Sequence, residues 1–372
     1  MRIKTIIFSL VLVSLTHVGK SAPQPPAVTP QTEAMSSRKE DTLTIRILGD
    51  IMMHSRQIEL AHQKDSTYDF SSYFSIIKDS LKQADICIAN MEFTLAGKPY
   101  TGYPSFSAPD CFIDYLDSCG IDVLLCANNH IFDKGSAGAA RTIKTIHERT
   151  SAVSITGLAT DSTDLGKTTP LKIKKNGIEI ALVNFTYGTN AGADRHWPKT
   201  NYMGNKTLIA KALEQADSSD LTIALPHWGN EYELTPSDQQ KATAAWLAEK
   251  GADLIIGTHP HVPQTFENVT GRNIPVAYSL GNAVSNMSAA NTQMELMATI
   301  TVVRRQDGTT ELKPIRFTYL WCSRPGGYGT SYTIIPIKHF IDKKNEWTGT
   351  WDYDKMIQTY NRVKNCINIE DR

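Results

Sequence analysis

The chain has 372 residues, 41% of them hydrophobic and 20% charged, an ordinary globular composition that can bury one large core or two domains. Lys plus Arg equals Asp plus Glu, 38 each, so there is no basic excess to suggest nucleic acid and bulk charge selects no partner.

Arg2 and Lys4 precede an apolar run, Ile6 to Leu15, and the small residues Gly19 and Ser21 are spaced for cleavage before Ala22. Residues 1–21 therefore read as an export signal; the run is too short for a comfortable membrane span, which leaves an uncleaved anchor as the lesser reading. No cysteine lies near the cleavage point to carry a lipid. An exported protein is expected, periplasmic or in the cell envelope or outside it. Residues 22–41, rich in Pro, Ser and charge, read as a disordered linker. An exported chain with six cysteines permits disulfides. Cys87 and Cys126, however, sit in apolar strand-like runs and read as small buried hydrophobes. Cys111 and Cys119 share a predicted helix and stand about 12 Å apart along it, too far for a bridge. Cys322 with Cys366 has no pattern behind it.

The first predicted strand, Leu43 to Asp50, stops on a carboxylate. Arg56 to Gln83 is mostly helical by pattern, with a break around Ser66 to Asp69. A strand then ends on Asn90 and Glu92. A helix from about Asp110 closes at Gly120, and the next strand ends on Asn128, Asn129 and His130. Ser136 is read as the cap of a helix reaching Arg149. Asn176-Gly177 marks a hairpin. Leu208 to Ala216 is helical, a strand ends on His227, and Asp238 to Lys250 is a helix closed by Gly251. The apolar run Leu254 to Ile256 leads through Gly257 to His259 and His261, which Pro260 separates. Proline keeps the preceding residue out of the helical region, so His259 is expected to be extended, with both imidazoles pointing together. From Met294 to Trp321 the pattern is a long hairpin turning at Asp307-Gly308.

Strands alternating with helices predict an α/β fold. Five strand ends carry Asp50, Glu92, Asn129-His130, His227 and His259-His261, and ligands of α/β sheets bind outside the carboxyl ends of the strands. Several titratable groups meeting in one place predict a metal centre. Carboxylate, imidazole and amide oxygen without sulfur suit a divalent transition metal, Zn, Mn or Fe. A carboxylate has two oxygens to share between ions, so the expectation is one or two ions.

The stretches GDIMM at Gly49, IANMEF at Ile88, ANNHIFDKG at Ala127, HWGNEY at His227, GTHPHV at Gly257 and YSLGN at Tyr278 resemble the CapA-type capsule (poly-γ-glutamate) biosynthesis family, itself similar to calcineurin-like metallophosphatases. The resemblance covers about Leu43 to Val284. It implies a four-layer α/β/β/α sandwich of metallophosphatase type over residues 42–325, with 326–372 as an extension packing on it. It also implies metal ligands at Asp50, Glu92, Asn129, His227, His259 and His261, and a role for His130 in helping the leaving group. Expected partners are an anionic polymer or small-molecule substrate and membrane-bound capsule synthesis machinery. One departure stands out. The superfamily has Asp-x-His at the first motif, whereas Met52 occupies the His position here. The first metal site is expected to be the weaker, with Asp50, Glu92 and His261, against Glu92, Asn129, His227 and His259 for the second. His54 is a poor substitute, four residues on from Asp50.

Other residues leave alternatives open. Glu231 is a catalytic acid/base, a contact for a substrate amine, or a cap for Thr235 to Asp238. Asn282 either supports the metal shell or serves a turn, and Asp133 either orients His130 or caps a helix. Arg324, Tyr328 and Tyr332 lie in a Gly-rich loop that could also form an anion patch. The pattern suits a metal-dependent hydrolase, a phosphoesterase, or a non-catalytic binding or export component.

Overall fold

The computed structural model describes residues 40–191 and 196–371. The expected export signal, and the linker up to residue 39, lie outside the described residues. Asp41 already belongs to the first strand, paired with Arg304. In chain order the strands are β1 (Asp41–Ile51), β2 (Ile86–Met91), β3 (Val123–Leu125), β4 (Ser154–Thr156), β5 (Leu158–Ala159), β6 (Leu171–Lys175), β7 (Ile178–Thr186), β8 (Lys199–Thr200) and β9 (Leu221–His227). They continue with β10 (Leu254–Ile256), β11 (Phe266–Asn268), β12 (Pro275–Ala277), β13 (Asn282–Val284), β14 (Met294–Arg304), β15 (Thr310–Leu312), β16 (Arg316–Ser323) and β17 (Thr333–Pro336). The helices are α1 (Ser55–Ala61), α2 (Lys78–Lys82), α3 (Cys111–Ser118), α4 (Gly135–Arg149), α5 (Ser162–Thr168), α6 (Lys206–Ala216), α7 (Asp238–Glu249), α8 (Ile337–Phe340) and α9 (Thr350–Ile367). No helix among the described residues is long and apolar enough to cross a membrane.

Two sheets carry the fold. The nine-stranded sheet runs β17-β16-β14-β1-β2-β3-β4, with β13 on β1 and β15 on β14. The six-stranded sheet runs β11-β12-β10-β9-β7-β6. Alternation along the strands assigns the layers, because successive side chains leave opposite faces. Leu43, Ile45 and Ile47 of β1 meet Ile178, Ile180 and Leu182 of β7 and Ile223 and Leu225 of β9 in one core between the sheets. Leu48 and Ile51 of β1 join Phe112, Leu116, Ile143 and Ile146 of α3 and α4 in a second core. Val183 and Phe185 of β7 pack with Ile209, Leu213, Ala244 and Leu247 of α6 and α7 in a third. Three cores separate four layers, helix, sheet, sheet and helix, which is the expected sandwich.

Strand direction then sets the site. β1, β2 and β3 run parallel in one sheet, and β7, β9, β10 and β12 run parallel in the other. Parallel neighbours end at the same edge, so the loops after β1, β2, β3, β9 and β10 converge. The C-terminal residues belong to the same body: β17 pairs with β16, while Met356, Tyr360, Val363 and Ile367 of α9 enter the core between the sheets.

Several local readings match. Asn176 and Gly177 take positive φ (50° and 74°) between β6 and β7, as a tight hairpin requires. Gly251, at φ 105°, follows α7. All six cysteines are free, with Cys87 and Cys126 buried. Others need correction. The helix assigned to Ser136 begins at Gly135, with Lys134 at the cap position. Arg56–Gln83 contains only the short α1 and α2; between them Phe70, Tyr73 and Phe74 are buried against the α3 face, and that aromatic packing outweighs helical periodicity. The second arm of the long hairpin splits into β15 and β16 around Pro314, which has no N–H to give the ladder.

Gly49, just before Asp50, lies against the chain leading into β13: a Cβ there would stand 1.9 Å from the Gly281 carbonyl oxygen. Both partners are backbone, so neither can swing aside. Gly49→Ala is expected to lower stability by about 3 kcal/mol, the upper end for overpacking. Urea unfolding at constant m-value checks this, and a loss under about 0.5 kcal/mol would contradict it.

Candidate metal centre

Asp50 lies in β1, Glu92 follows β2, Asn129 and His130 follow β3, His227 ends β9, and His259 and His261 follow β10. All are 4% exposed or less. Asp50 Oδ1 accepts Asn90 Nδ2–H at 2.7 Å, and Oδ2 lies 3.2 Å from His261 Nδ1 and 3.3 Å from the His259 backbone nitrogen. Glu92 Oε1 lies 3.7 Å from His227 Nε2 and 3.8 Å from His261 Nε2. One atom each from Glu92, His259 and His261 falls within a 4.8 Å cluster, as does one each from Asp50, Glu92 and His227. Glu92 belongs to both. These groups cut across the expected division of ligands, because Glu92 stands between the two sheets and each histidine faces it from its own loop.

The donor set fits a cation on three observations. Both Glu92 carboxylate oxygens are buried without a hydrogen-bond partner among the described residues, as is His259 Nδ1. Such atoms are costly to bury unless a ligand satisfies them. His227 Nε2 stands 2.7 Å from Asn129 Oδ1, and its Nδ1 stands 2.9 Å from Thr258 Oγ1. Nε2 and Oδ1 therefore lie side by side: the tautomer with its proton on Nδ1 offers both lone pairs to one cation, and the other tautomer closes a hydrogen bond between them. His261 Nδ1–H donates to Asn282 Oδ1 at 2.9 Å, which turns Nε2 toward Glu92. Asn282 thus orients a histidine instead of merely serving a turn.

Electrostatics agree. Burial, then the Asp50 charge, push the Glu92 carboxyl well above the usual carboxylate range. Burial and the neighbouring imidazoles hold His227 and His259 well below the usual imidazole range. Burial opposes protonation of His261 too, but the hydrogen bond and charge of Asp50 outweigh it and raise its pKa.

His259 and His261 are not extended. Their φ values are +98° and +59°, rare for residues with a Cβ. Proline forbids only the right-handed helical region to its predecessor. The left-handed side remained open, and there the His259 N–H faces Asp50. The imidazoles still lie near each other, with centroids 5.7 Å apart.

Met52 is buried in the core on the helical side of the sheet, outside the cluster. His54 does not replace it: its Nδ1 accepts the Asn286 N–H at 3.2 Å and its ring sits edge-on to Phe106. His130 is 4% exposed, and its Nδ1 lies 2.8 Å from Asp133 Oδ2. Asp133 also accepts the Phe106 N–H, so it is fixed in position as it orients His130. Glu231 is exposed at the mouth, where its charge reaches Glu92 and His261. It does not cap α7, which Ser237 caps with Gln240. Exposed Tyr187 and Tyr232 flank it, 4.6 Å from the His259 ring and 6.3 Å from the His261 ring. Tyr328 packs between Phe340 and Trp347, so it leaves the proposed anion patch, whereas Tyr332 and Arg324 both bond Asn286.

Two supporting roles escape the sequence reading, that of Asn90, read only as a strand end, and that of Glu295. Asn90 bridges Asp50 toward His227, and its position two residues before Glu92 was the available signal. Glu295 of β14 accepts the Gly49 N–H at 2.5 Å, and burial followed by the Asp50 charge pushes its pKa up to about 8. Within an alternating strand nothing marks it.

A family model described as bacterial capsule synthesis protein PGA_cap matches residues 44–287. The chain belongs to that family. The PGA_cap match spans all the strand ends of the centre. The capsule biosynthesis protein CapA of Bacillus anthracis is 28% identical over 299 residues, which are 77% of this chain and 68% of that protein. The PGA biosynthesis protein CapA of Bacillus subtilis is 27% identical over 296 residues, 77% of this chain and 74% of that one. Among solved structures, the NAD nucleotidase of Haemophilus influenzae superposes with a TM-score of 0.46 at 12% identity, covering 88% of this chain and 68% of that one.

Titration of Glu92 has a definite sign. Its folded pKa lies above the ordinary 4.5, so the folded state holds the proton longer than the unfolded state. Without metal, its ionisation therefore costs stability as pH rises above about 4.5. His227 and His259 act oppositely, costing stability as pH falls below 6.5. Glu92→Gln in chelator-treated protein is expected to add about 1–2 kcal/mol at pH 8 and less at pH 5, while abolishing metal uptake. Urea unfolding at both pH values, with elemental analysis, checks this. A variant less stable than the parent at pH 8 would contradict it.

Proposed function

We propose that the protein is an exported, metal-dependent hydrolase of the cell envelope that acts on the capsule polymer or on its precursors. The observation that carries this reading is the pair of orphaned Glu92 oxygens facing three buried histidines, with the His130–Asp133 pair alongside. Asp50, Glu92, Asn129, His227, His259 and His261 would hold one or two divalent ions. Such ions supply Lewis-acid polarisation of a scissile carbonyl or phosphoryl group.

The remaining steps belong to the chain itself. Asp133 accepts a hydrogen bond from His130 Nδ1–H and fixes the ring's orientation, so that the doubly protonated imidazolium delivers its Nε2 proton to the departing oxygen or nitrogen and returns to the neutral Nδ1–H form. Glu231 and the two tyrosines border the entrance and position the substrate. Asn282 and Asp50 hold His261 in register. The family supports a substrate of capsule metabolism; an anionic polymer and a membrane-bound synthesis machinery are the proposed partners. The N-terminal sequence, read as an export signal, is what supports a periplasmic or surface location.

Metal analysis with a substrate screen tests the reading. Protein purified without chelator should carry at least one Zn, Mn or Fe per chain and hydrolyse either γ-glutamyl amides or phosphate esters. Metal-free protein that resists reconstitution would overturn it. His130→Ala should retain metal and fold yet lose about 10²–10⁴-fold in kcat. The loss should shrink for substrates with good leaving groups, and Asp133→Asn should lose less. If His130→Ala loses its metal, His130 is a ligand and the proton-donor role fails.

A further inference from the structure

A cleft of about 420 Å³, distinct from the metal centre, opens between the segment that follows β13, the end of β16 and the start of α9. Arg56, Arg324 and Lys355 line it, with Asn286, Gln293 and Trp351. One segment links the two places: Asn282 holds His261, and four residues later Asn286 gives its N–H to His54 and its Oδ1 to Arg324. Arg324 and Lys355 bond only neutral oxygens here. The Arg324 guanidinium binds Asn286 Oδ1 and the Met287 carbonyl, and Lys355 Nζ binds Gln293 Oε1 at 2.5 Å. These contacts leave N–H groups on both cations unused, since a guanidinium has five and an ammonium three.

Two carboxylates lie nearby. Asp352 is fully buried, and it already accepts from Gln293, Trp321, Ser323 and the Arg324 backbone. Glu59 pairs with Arg56 at 3.2 Å on the open surface, where such a pair is weak. Burial and the adjacent Arg324 charge hold the Lys355 ammonium below its ordinary pKa, as expected of cations short of counter-charge. Trp351, 53% exposed, adds an apolar wall. Three cations beside an indole suit carboxylates carried on aliphatic spacers, whose methylenes lie on the ring while the charges meet Arg and Lys.

We propose that this cleft is a subsite for a carboxylate-rich chain whose neighbouring segment reaches the metal centre. Its service to that centre rests on the hydrolase reading above; its binding of polycarboxylate does not.

Calorimetric titration of the full protein, both chelator-treated and zinc-loaded, tests this with synthetic pentaglutamate, pentaglutamine and tripolyphosphate. Pentaglutamate should bind both forms, and added salt should weaken it. The double variant Arg56→Gln/Lys355→Gln, both positions exposed, should bind it about tenfold more weakly. Trp351→Ala should weaken it about threefold. Absent binding, unchanged binding in the double variant, equal binding of pentaglutamine, or tighter binding of tripolyphosphate would each overturn the proposal. Pentaglutamate binding by protein that takes up no metal would support the cleft and sink the hydrolase reading alone.

Discussion

Glu92 is a carboxylate sealed from water, with no hydrogen-bond donor on either oxygen among the described residues. A fold does not bury such a group for its own stability, because the desolvation penalty runs to several kcal/mol. Asp50 lies beside it and raises the cost further. The surrounding architecture pushes acids and imidazoles together against their preference, each sheet supplying part of the set. The protonation states available without metal relieve this only partly, since the acid prefers to be neutral and two of the histidines refuse a proton. A divalent cation would satisfy these groups together. Stability of the empty centre is sacrificed here, the trade expected of a functional centre.

Backbone geometry carries the same signature. His259 and His261 hold positive φ, a conformation that costs about 1–3 kcal/mol for each residue with a Cβ. The strain is held by neighbours on all sides: the Trp228 N–H bonds the Thr258 carbonyl, the Tyr232 N–H bonds the Pro260 carbonyl, and Gln264 is tied to Ser279. From the opposite sheet, Glu295 fixes the Gly49 amide and Gly281 closes on Gly49, so Asp50 can occupy only one place. The centre is accurate because the rigid edges of two sheets meet there, not because any loop is intrinsically ordered.

The polar strand ends were legible because an apolar run stopping on Asp, Glu, Asn or His is a local pattern, and parallel sheets bring such ends to one edge. Asp50, Glu92, Asn129 and the three histidines could all be read this way, as could the Asn176-Gly177 hairpin. The conformation of His259 could not, since a rule that excludes one backbone region does not choose among the others. Glu295 was hidden for a different reason: its importance comes from pairing across the sheet to Gly49, 246 residues away, and alternation in β14 makes it look like any other strand residue. The cationic cleft escaped similarly, for Arg56, Arg324 and Lys355 come from three distant segments. For Tyr328 the sequence left an anion patch open beside an ordinary loop role, and its ring, wedged between Phe340 and Trp347, decides for the packing role.

The position of β1 has a bearing on how the chain reaches its native state. This opening strand sits between β2, which follows it closely, and β14, which lies some 250 residues later by register, Ile45 opposite Ile300. The core it faces is sealed by α9, and Phe317 is bridged to Asp371. An N-terminal fragment emerging from a ribosome therefore holds the apolar face of β1 without the partners that cover it. Contacts of such long sequence separation form slowly. Until they form, the edge of β1 is open to pairing with other chains, so the unfinished chain is more prone to aggregate than the folded one.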